Sequence, residues 1–327
     1  MGKHEFLYVG SKDGVEKSMC EKFGVPYEGV SCGKLRRYFS LQNFLDFFKV
    51  PIGILQAYDV LRRFKPDVVF SKGGFVGIPA VMAARVLGIP VVLHESDVVP
   101  GLTNKLSARF ASKICISFEK TKKFFDKYRD RVDLTGNPVR KWIADGNADA
   151  GYKFSGLDKH RPVILVMGGS QGARQINKLV RAGLGELLKK FQIVHLCGKG
   201  NIDIGLHKTG YVQYEFLDEQ LADVYAMCKM VVSRGGANSL AEIAYLGRRA
   251  LIIPLGGEAS RGDQIDNARE FAQEFAWGVL SGDISVTDFI KGVELAYNNE
   301  INEDAKFING SEAVAKVVLE TGGFSVV

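Results

Sequence analysis

Short apolar runs that end in a glycine turn and lead into a helix-patterned stretch recur along this sequence, and that alternation limits the fold more than any other feature. Pro66–Ser71 (PDVVFS) leads through KGGFVGIP into small apolar residues at Ala80–Leu87. Val163–Met167 leads through GGSQGAR into a helical pattern at Gln175–Lys190, and Met230–Ser233 leads through RGGAN into Asn238–Leu246. Further strands are predicted at His4–Val9, Val25–Val30, Ile89–Leu93, Lys113–Ser117, Ile193–Cys197, 210–217 and Ala250–Pro254. Strands separated by helices at this spacing form a parallel, doubly wound sheet. A chain of 327 residues is long enough for two such domains, each with its own core. The predicted class is α/β, with two Rossmann-like domains at 1–142 and 162–305 joined by a Gly/Asp/Lys-rich linker at 143–161. A last helix within 306–327 is expected to pack back on the first domain. Two domains of this kind facing each other define a cleft, the expected ligand site.

Charge and cysteine usage narrow the partners. Residues 1–138 carry 22 Lys/Arg against 14 Asp/Glu, and the remainder carries 21 against 23. A basic first half points to an anionic partner, either nucleic acid or an acidic membrane. Nucleic acid is disfavoured because no recognised nucleic-acid motif accompanies the charge. The segment 34–65 crowds Phe39, Leu41, Phe44, Leu45, Phe47 and Phe48 beside Lys34, Arg36, Arg37 and Lys49. Such a segment either lies on anionic lipid or buries its rings in the core behind a solvated charged face. The five cysteines are scattered with no CxxC pair, which fits buried thiols in a reducing compartment. No apolar run reaches the ~18–20 residues of a membrane span. HExxH, a Cys/His cluster and a D-x-D pair are all missing, so metal chemistry is not expected and no cofactor is called. His195, inside an apolar strand, reads as a core residue.

The chemistry concentrates in Ser233–Ala268. Gly235 and Gly236 allow a tight turn and close approach to a ligand, and the following helix starts with free N–H groups suited to phosphate or sugar hydroxyls. Glu242, one turn in, lies on the face of Asn238 and is placed to accept from ribose hydroxyls. The same stretch is also compatible with a plain βαβ crossover. GGSQGAR offers further amides and the Ser170 hydroxyl, with Arg140 as a fixed charge for a pyrophosphate. It is neither G-x-G-x-x-G nor a Walker loop. In the first domain, His94, Glu95 and Asp97 follow a strand's carboxyl end, where open α/β sheets place ligands.

Taken together and in order, GGFVGIP, HESDVVPGLTNK, TGNPVR, GGSQGAR and SRGGANSLAE resemble the MurG family over nearly the whole chain. The resemblance implies a GT-B glycosyltransferase that moves N-acetylglucosamine from UDP-GlcNAc to lipid I by inverting displacement, peripheral on the cytoplasmic side of the bacterial cell membrane. It implies a donor pocket in which Ser170 and Arg140 hold the pyrophosphate and the backbone near Leu217 reads uracil. Ala237, Asn238, Ser239, Leu240, Ala241 and Glu242 would line nucleotide and ribose, Gln264 would meet the sugar hydroxyls, and Asp97 would lie on the donor side. Gly73, Gly74 and Phe75 would face the acceptor diphosphate. Three departures stand out. The chain starts where the family's second strand would, without the strand and histidine-bearing glycine loop that open the family, which should leave a gap of unpaired backbone in the sheet. Asp97 stands where the family has Asn, and Asp263 replaces a residue usually His or Gln. Without that loop, Glu95 is the expected general base, with His94 and Asp97 as alternatives. The competing reading is a non-catalytic remnant that keeps the donor pocket but does not engage the lipid acceptor.

Overall fold

The computed structural model describes residues 4–325 except 13, 15, 33–40, 170–171, 257–261, 301, 303 and 306, with backbone alone for 41–49. The aromatic cluster at Phe39–Phe48 therefore lies outside the described side chains. The chain divides into two units, Met1–Gly136 with Glu312–Val327, and Asn137–Ser311. Every ladder between the strands of either unit is parallel.

The first unit runs β1 (Tyr8–Ser11), α1 (Glu16–Lys22), β2 (Tyr27–Val30), α2 (Leu41–Phe64), β3 (Val69–Ser71), α3 (Gly77–Leu87), β4 (Val91–Glu95), α4 (Leu102–Ser107), β5 (Lys113–Ile116) and β6 (Val132–Leu134), with 3₁₀ turns over Glu119–Arg131. Its strands form two sheets, β1-β2 and β3-β4-β5-β6, and among the described residues no ladder joins β1 to β3. One core nevertheless underlies both, since Val9 and Val30 of the pair share a cluster with Val69, Leu93, Ile114 and Ile116 of the four. The first strand starts later than the expected His4–Val9. Its ladder opens at Tyr8↔Tyr27, where the Tyr8 N–H donates to the Pro26 carbonyl at 2.9 Å, and Pro26 has no N–H to extend the pairing. Helix α2 passes close to the end of β2: a Cβ on Gly53 would run into the Ser31 carbonyl, and Gln56 Oε1 accepts from the Ser31 N–H at 2.7 Å.

The second unit runs α5 (Ala148–Ser155), β7 (Val163–Met167), α6 (Arg174–Lys190), β8 (Gln192–Leu196), β9 (Tyr211–Tyr214), α7 (Gln220–Met227), β10 (Cys228–Ser233), α8 (Ala237–Tyr245), β11 (Arg249–Ile252), α9 (Asp263–Phe275), β12 (Gly278–Val279) and α10 (Val286–Asn298). Strand order is β12-β11-β10-β7-β8-β9, the doubly wound order whose direction reverses between β7 and β10. The stretch read as a linker contains α5. Asn147 caps it by accepting from the Ala150 N–H at 3.1 Å, and Gly156 ends it at φ +69°. Gly146 and Gly151 let it press on α7, because a Cβ at either would strike the backbone of Ala222 or Asp223. Residues 137–142, read as the end of the first domain, belong to this unit. Buried His195 bridges Tyr211 Oη (2.9 Å) and Asn177 Oδ1 (3.0 Å), the core role its apolar strand implied.

The last helix, α11 (Ser311–Thr321), is counted from Glu312 with the first unit. Its Val314, Val317 and Val318 cover Val92 of β4 and Cys115 of β5.

Candidate functional site

At the point where the second sheet reverses direction, β7 and β10 end side by side, with Met167 in register with Ser233. The two glycine turns singled out in the sequence are therefore neighbours, as only the strand order could decide. After β7 the chain closes a turn in which the Gly172 N–H donates to the Gly169 carbonyl at 2.8 Å. Gly169 (φ +81°) and Gly172 (φ +73°) both need glycine's freedom, and a Cβ on Gly172 would strike the Cys197 carbonyl. After β10 a Cβ on Gly235 would strike the Gln264 carbonyl, whereas one on Gly236 would meet open space. Helices α6 and α8 both begin here with no side chain capping their first N–H groups. Ser170 lies outside the described residues.

Around α8 the polar side chains converge. Arg140 donates to Glu242 Oε1 through Nη2 at 2.6 Å and Nε at 2.9 Å, and its guanidinium lies 4.7 Å from the Trp142 ring centre. Glu242 is almost fully buried, and that burial raises its carboxyl pKa while Arg140 opposes the rise. Asn137 reaches the start of the same helix, donating from Nδ2 to Asn238 Oδ1 (3.1 Å) and the Ala237 carbonyl (3.4 Å). Its own Oδ1 is buried with no partner. Leu240 and Ala241 face the core beneath, while Asn238 and Ser239 reach solvent. Gln264 is tied to the loop after β11, its Oε1 accepting from the Leu255 N–H at 3.0 Å, and buried Asn267 donates to the Gly235 carbonyl at 3.2 Å. Those bonds hold the start of α9 against the Gly235 turn. Leu217 follows β9, two strands out from β7 on the same carboxyl edge. Asn137, unassigned in the sequence reading, was signalled there only as part of TGNPVR.

The first unit's candidates gather at the ends of β3 and β4. Glu95 is 4% exposed and accepts three hydrogen bonds: from the Asp97 N–H (3.0 Å), the Gly101 N–H (3.0 Å) and Asn104 Nδ2 (2.9 Å). Both carboxylate oxygens are thus engaged in holding the loop 96–101. Burial raises the Glu95 pKa against the lowering by those bonds. His94 is fully buried between the Gly136 carbonyl (3.0 Å) and Ser96 Oγ (3.4 Å). Burial lowers its pKa to about 4, so the ring is neutral near pH 7, and Nε2–H donates to Gly136. The sequence expectation that one of these two takes a proton meets side chains already spent on loop geometry. Asp97, by contrast, is only partly buried. Gly73 (φ +86°) and Gly74 (φ +80°) form the turn into α3, with Phe75 half-buried behind them. Asn104, missed in the sequence, packs under Gly73.

Known proteins match in the same order. The glycosyltransferase family 28 N-terminal domain matches residues 2–116, and the family 28 C-terminal domain matches 163–318. A Bacillus cereus UDP-N-acetylglucosamine–N-acetylmuramyl-(pentapeptide) pyrophosphoryl-undecaprenol N-acetylglucosamine transferase 2 is 48% identical over 318 residues, 96% of this chain and 90% of that protein. The transferase of that name without the number, from Legionella pneumophila, is 45% identical over 95% of this chain and 86% of its own. Among solved structures, Acinetobacter baumannii MurG superposes with a TM-score of 0.65 at 22% identity, covering 97% of this chain and 91% of that one. A Neisseria meningitidis UDP-GlcNAc 2-epimerase bound to UDP-GlcNAc gives 0.65 at 15% identity, covering 97% and 100%. These two show the shared fold. With both domains in order and relatives nearly half identical along most of their length, the chain belongs to glycosyltransferase family 28 and, within it, to the MurG family.

Proposed function

We propose that this chain is an inverting hexosyltransferase that moves N-acetylglucosamine from UDP-N-acetylglucosamine to the muramoyl 4-hydroxyl of lipid I in peptidoglycan synthesis. The observation that carries this reading is the convergence, at one switch point, of two glycine turns, two uncapped helix starts and the Arg140–Glu242 pair. The donor pyrophosphate lies against those helix amides with Arg140 and Ser170, because amides and a fixed cation suit its charge. Glu242 accepts from the ribose, the backbone at Leu217 reads the base, and Gln264 meets the sugar. Ala237–Ala241 supply the first turn that lines the nucleotide.

In the reaction the acceptor oxygen bonds to the anomeric carbon as the bond from that carbon to UDP breaks, and the acceptor hydroxyl passes its proton to a carboxylate at the end of β4, Glu95 or Asp97. Negative charge grows on the leaving diphosphate, where Arg140 and the helix N–H groups stabilise it. His94 and Glu95 hold the loop 96–101 in place, and the acceptor diphosphate lies at Gly73, Gly74 and Phe75. The protein works as a peripheral protein on the cytoplasmic face of an anionic membrane. Leu102 (52% exposed) and Leu106 (44%) stand one turn apart on α4, with Lys105 between them 5.1 Å from the Phe124 ring centre. No helix among the described residues is long and apolar enough to cross a membrane.

The relatives' coverage favours a transferase over a remnant that only holds nucleotide. The deciding experiment is transfer of labelled sugar from UDP-GlcNAc to a soluble lipid I analogue, run beside UDP calorimetry. Tight UDP binding without any transfer supports the remnant; no UDP binding overturns the pocket itself.

A further inference from the structure

In the second unit one backbone carbonyl is held by a chain of buried side chains. Cys197 stands one residue beyond β8, past the last rung of the ladder with β7 at Met167↔Leu196. Asn177 of α6 takes up its carbonyl, donating from Nδ2 at 3.0 Å. A carbonyl only accepts, so the Asn177 amide has one orientation there and turns Oδ1 toward His195 Nε2, 3.0 Å away. The ring nitrogen that meets Oδ1 must carry the proton, which leaves Nδ1 to accept from the Tyr211 hydroxyl at 2.9 Å. Burial, with Arg181 nearby, lowers the His195 pKa to about 3, so near neutral pH the ring has a bare nitrogen for this bond. Burial pushes the Tyr211 phenol up to about 12, so it keeps the proton it donates. His195 and Cys197 are fully buried, and Asn177 and Tyr211 nearly so.

This chain of bonds ends under a glycine turn. Gly172 packs so closely on the Cys197 carbonyl that a Cβ would strike it, so the turn after β7 rests on the very atom that Asn177 holds. Asn177 also closes the first turn of α6, its own N–H donating to the Ala173 carbonyl at 2.8 Å. Apolar side chains would fill this space without the desolvation cost of His195, Asn177 and Tyr211. What they would not supply is direction. A fully satisfied buried network admits one arrangement and stiffens the segments it joins.

We infer that His195 is a positioning residue for the donor diphosphate: the Tyr211–His195–Asn177 relay fixes the Cys197 carbonyl, and through it sets where the Gly172 turn and the first amides of α6 stand. The inference rests on the donor side of the proposed function and adds the residues behind the turn that keep its amides aimed. Amides stabilise the charge of a departing diphosphate only when they are held in place beforehand, and that is what the relay supplies.

The test uses the full chain, free and with UDP. Nitrogen NMR of the free wild-type protein should find His195 neutral with its proton on Nε2; a proton on Nδ1 instead overturns the relay. Tyr211→Phe keeps the ring and removes only the hydroxyl. In that variant hydrogen exchange of 168–177 should quicken about three- to tenfold, with exchange of 235–246 unchanged. UDP affinity should fall about three- to tenfold in Tyr211→Phe and in His195→Phe, while the KM for the lipid-linked acceptor stays as it was. His195→Gln should recover most of that affinity, because its amide N–H reaches Asn177 Oδ1 from nearly the position of Nε2. If His195→Phe does not fold, Tyr211→Phe decides alone. Unchanged exchange overturns the inference, and so does faster exchange with undiminished UDP affinity. Failure of the wild-type chain itself to bind UDP overturns the donor pocket and this inference with it, whereas variants that match a UDP-binding wild type overturn this inference only.

Discussion

Arg140 places two guanidinium nitrogens on a single oxygen of Glu242, at 2.6 and 2.9 Å, although the two residues stand 102 positions apart in the chain. In the proposed reaction these partners part company: the arginine turns to the pyrophosphate and the carboxylate to the ribose. On that reading nucleotide binding exchanges an ion pair between a half-exposed arginine and a nearly buried glutamate for two ligand contacts.

Glu242→Ala should weaken UDP binding by about 1–3 kcal/mol, the usual cost of losing a charged hydrogen-bond acceptor. Melting temperature should change little, because the variant also removes a carboxylate that burial disfavours and leaves Arg140 able to reach water. Calorimetry with UDP checks this, and undiminished affinity refutes the ribose assignment.

Adjacent glycines separate packing from ligand space. Gly235→Ala drives a methyl into the Gln264 carbonyl and should cost about 1–3 kcal/mol of stability as α9 is pushed from the turn. Gly236→Ala points into open space at φ −73° and should leave stability within about 0.5 kcal/mol. If that space is the nucleotide pocket, Gly236→Ala still loses UDP affinity. Equal melting temperatures for the two variants would refute the packing argument.

Glu95→Gln discriminates anchor from base. The amide presents its own N–H₂ toward backbone N–H donors, so loop 96–101 loses hydrogen bonds, with an expected cost of about 1–3 kcal/mol. An unchanged melting curve joined to a fall in kcat of about 10²–10⁴ would restore Glu95 as the proton acceptor.

Acid should destabilise both units through their buried histidines. The folded pKa is lowered to about 4 for His94 and about 3 for His195, mainly by burial. The unfolded chain binds protons first as pH falls below about 6.5. Stability is full above that value and drains as pH descends toward the folded pKa, by about 1.4 kcal/mol per unit per histidine. Glu95 and Glu242, whose pKa values are raised, work in the opposite sense just above the ordinary carboxylate range. Comparing the pH dependence of melting in wild type and His195→Gln isolates one histidine, and identical slopes would contradict its neutral burial.

Leu102→Ser with Leu106→Ser should reduce sedimentation with anionic vesicles while leaving the melting curve in place, since both side chains already face water. A collapsed melting transition would make them structural instead.

Much of this protein was legible in one dimension. Alternating apolar runs and glycine turns announced parallel sheets, because strand burial on both faces and tight βα turns are local demands written in neighbouring residues. Asn147 and Gly156 even marked the helix inside the supposed linker, and only its Gly/Asp/Lys composition hid it. Among the described residues no ladder joins β1 to β3, a break that the spacing of the apolar runs did not show. What the tertiary structure alone decided is adjacency. Met167 beside Ser233, Arg140 on Glu242, Asn137 at the start of α8 and Asn104 beneath Gly73 are contacts across the chain. Residue order cannot specify them, because they depend on which strand the sheet places next to which. Burial was likewise invisible beforehand: the fold buries Glu95 and His94 and gives both hydrogen-bond partners in the backbone around them.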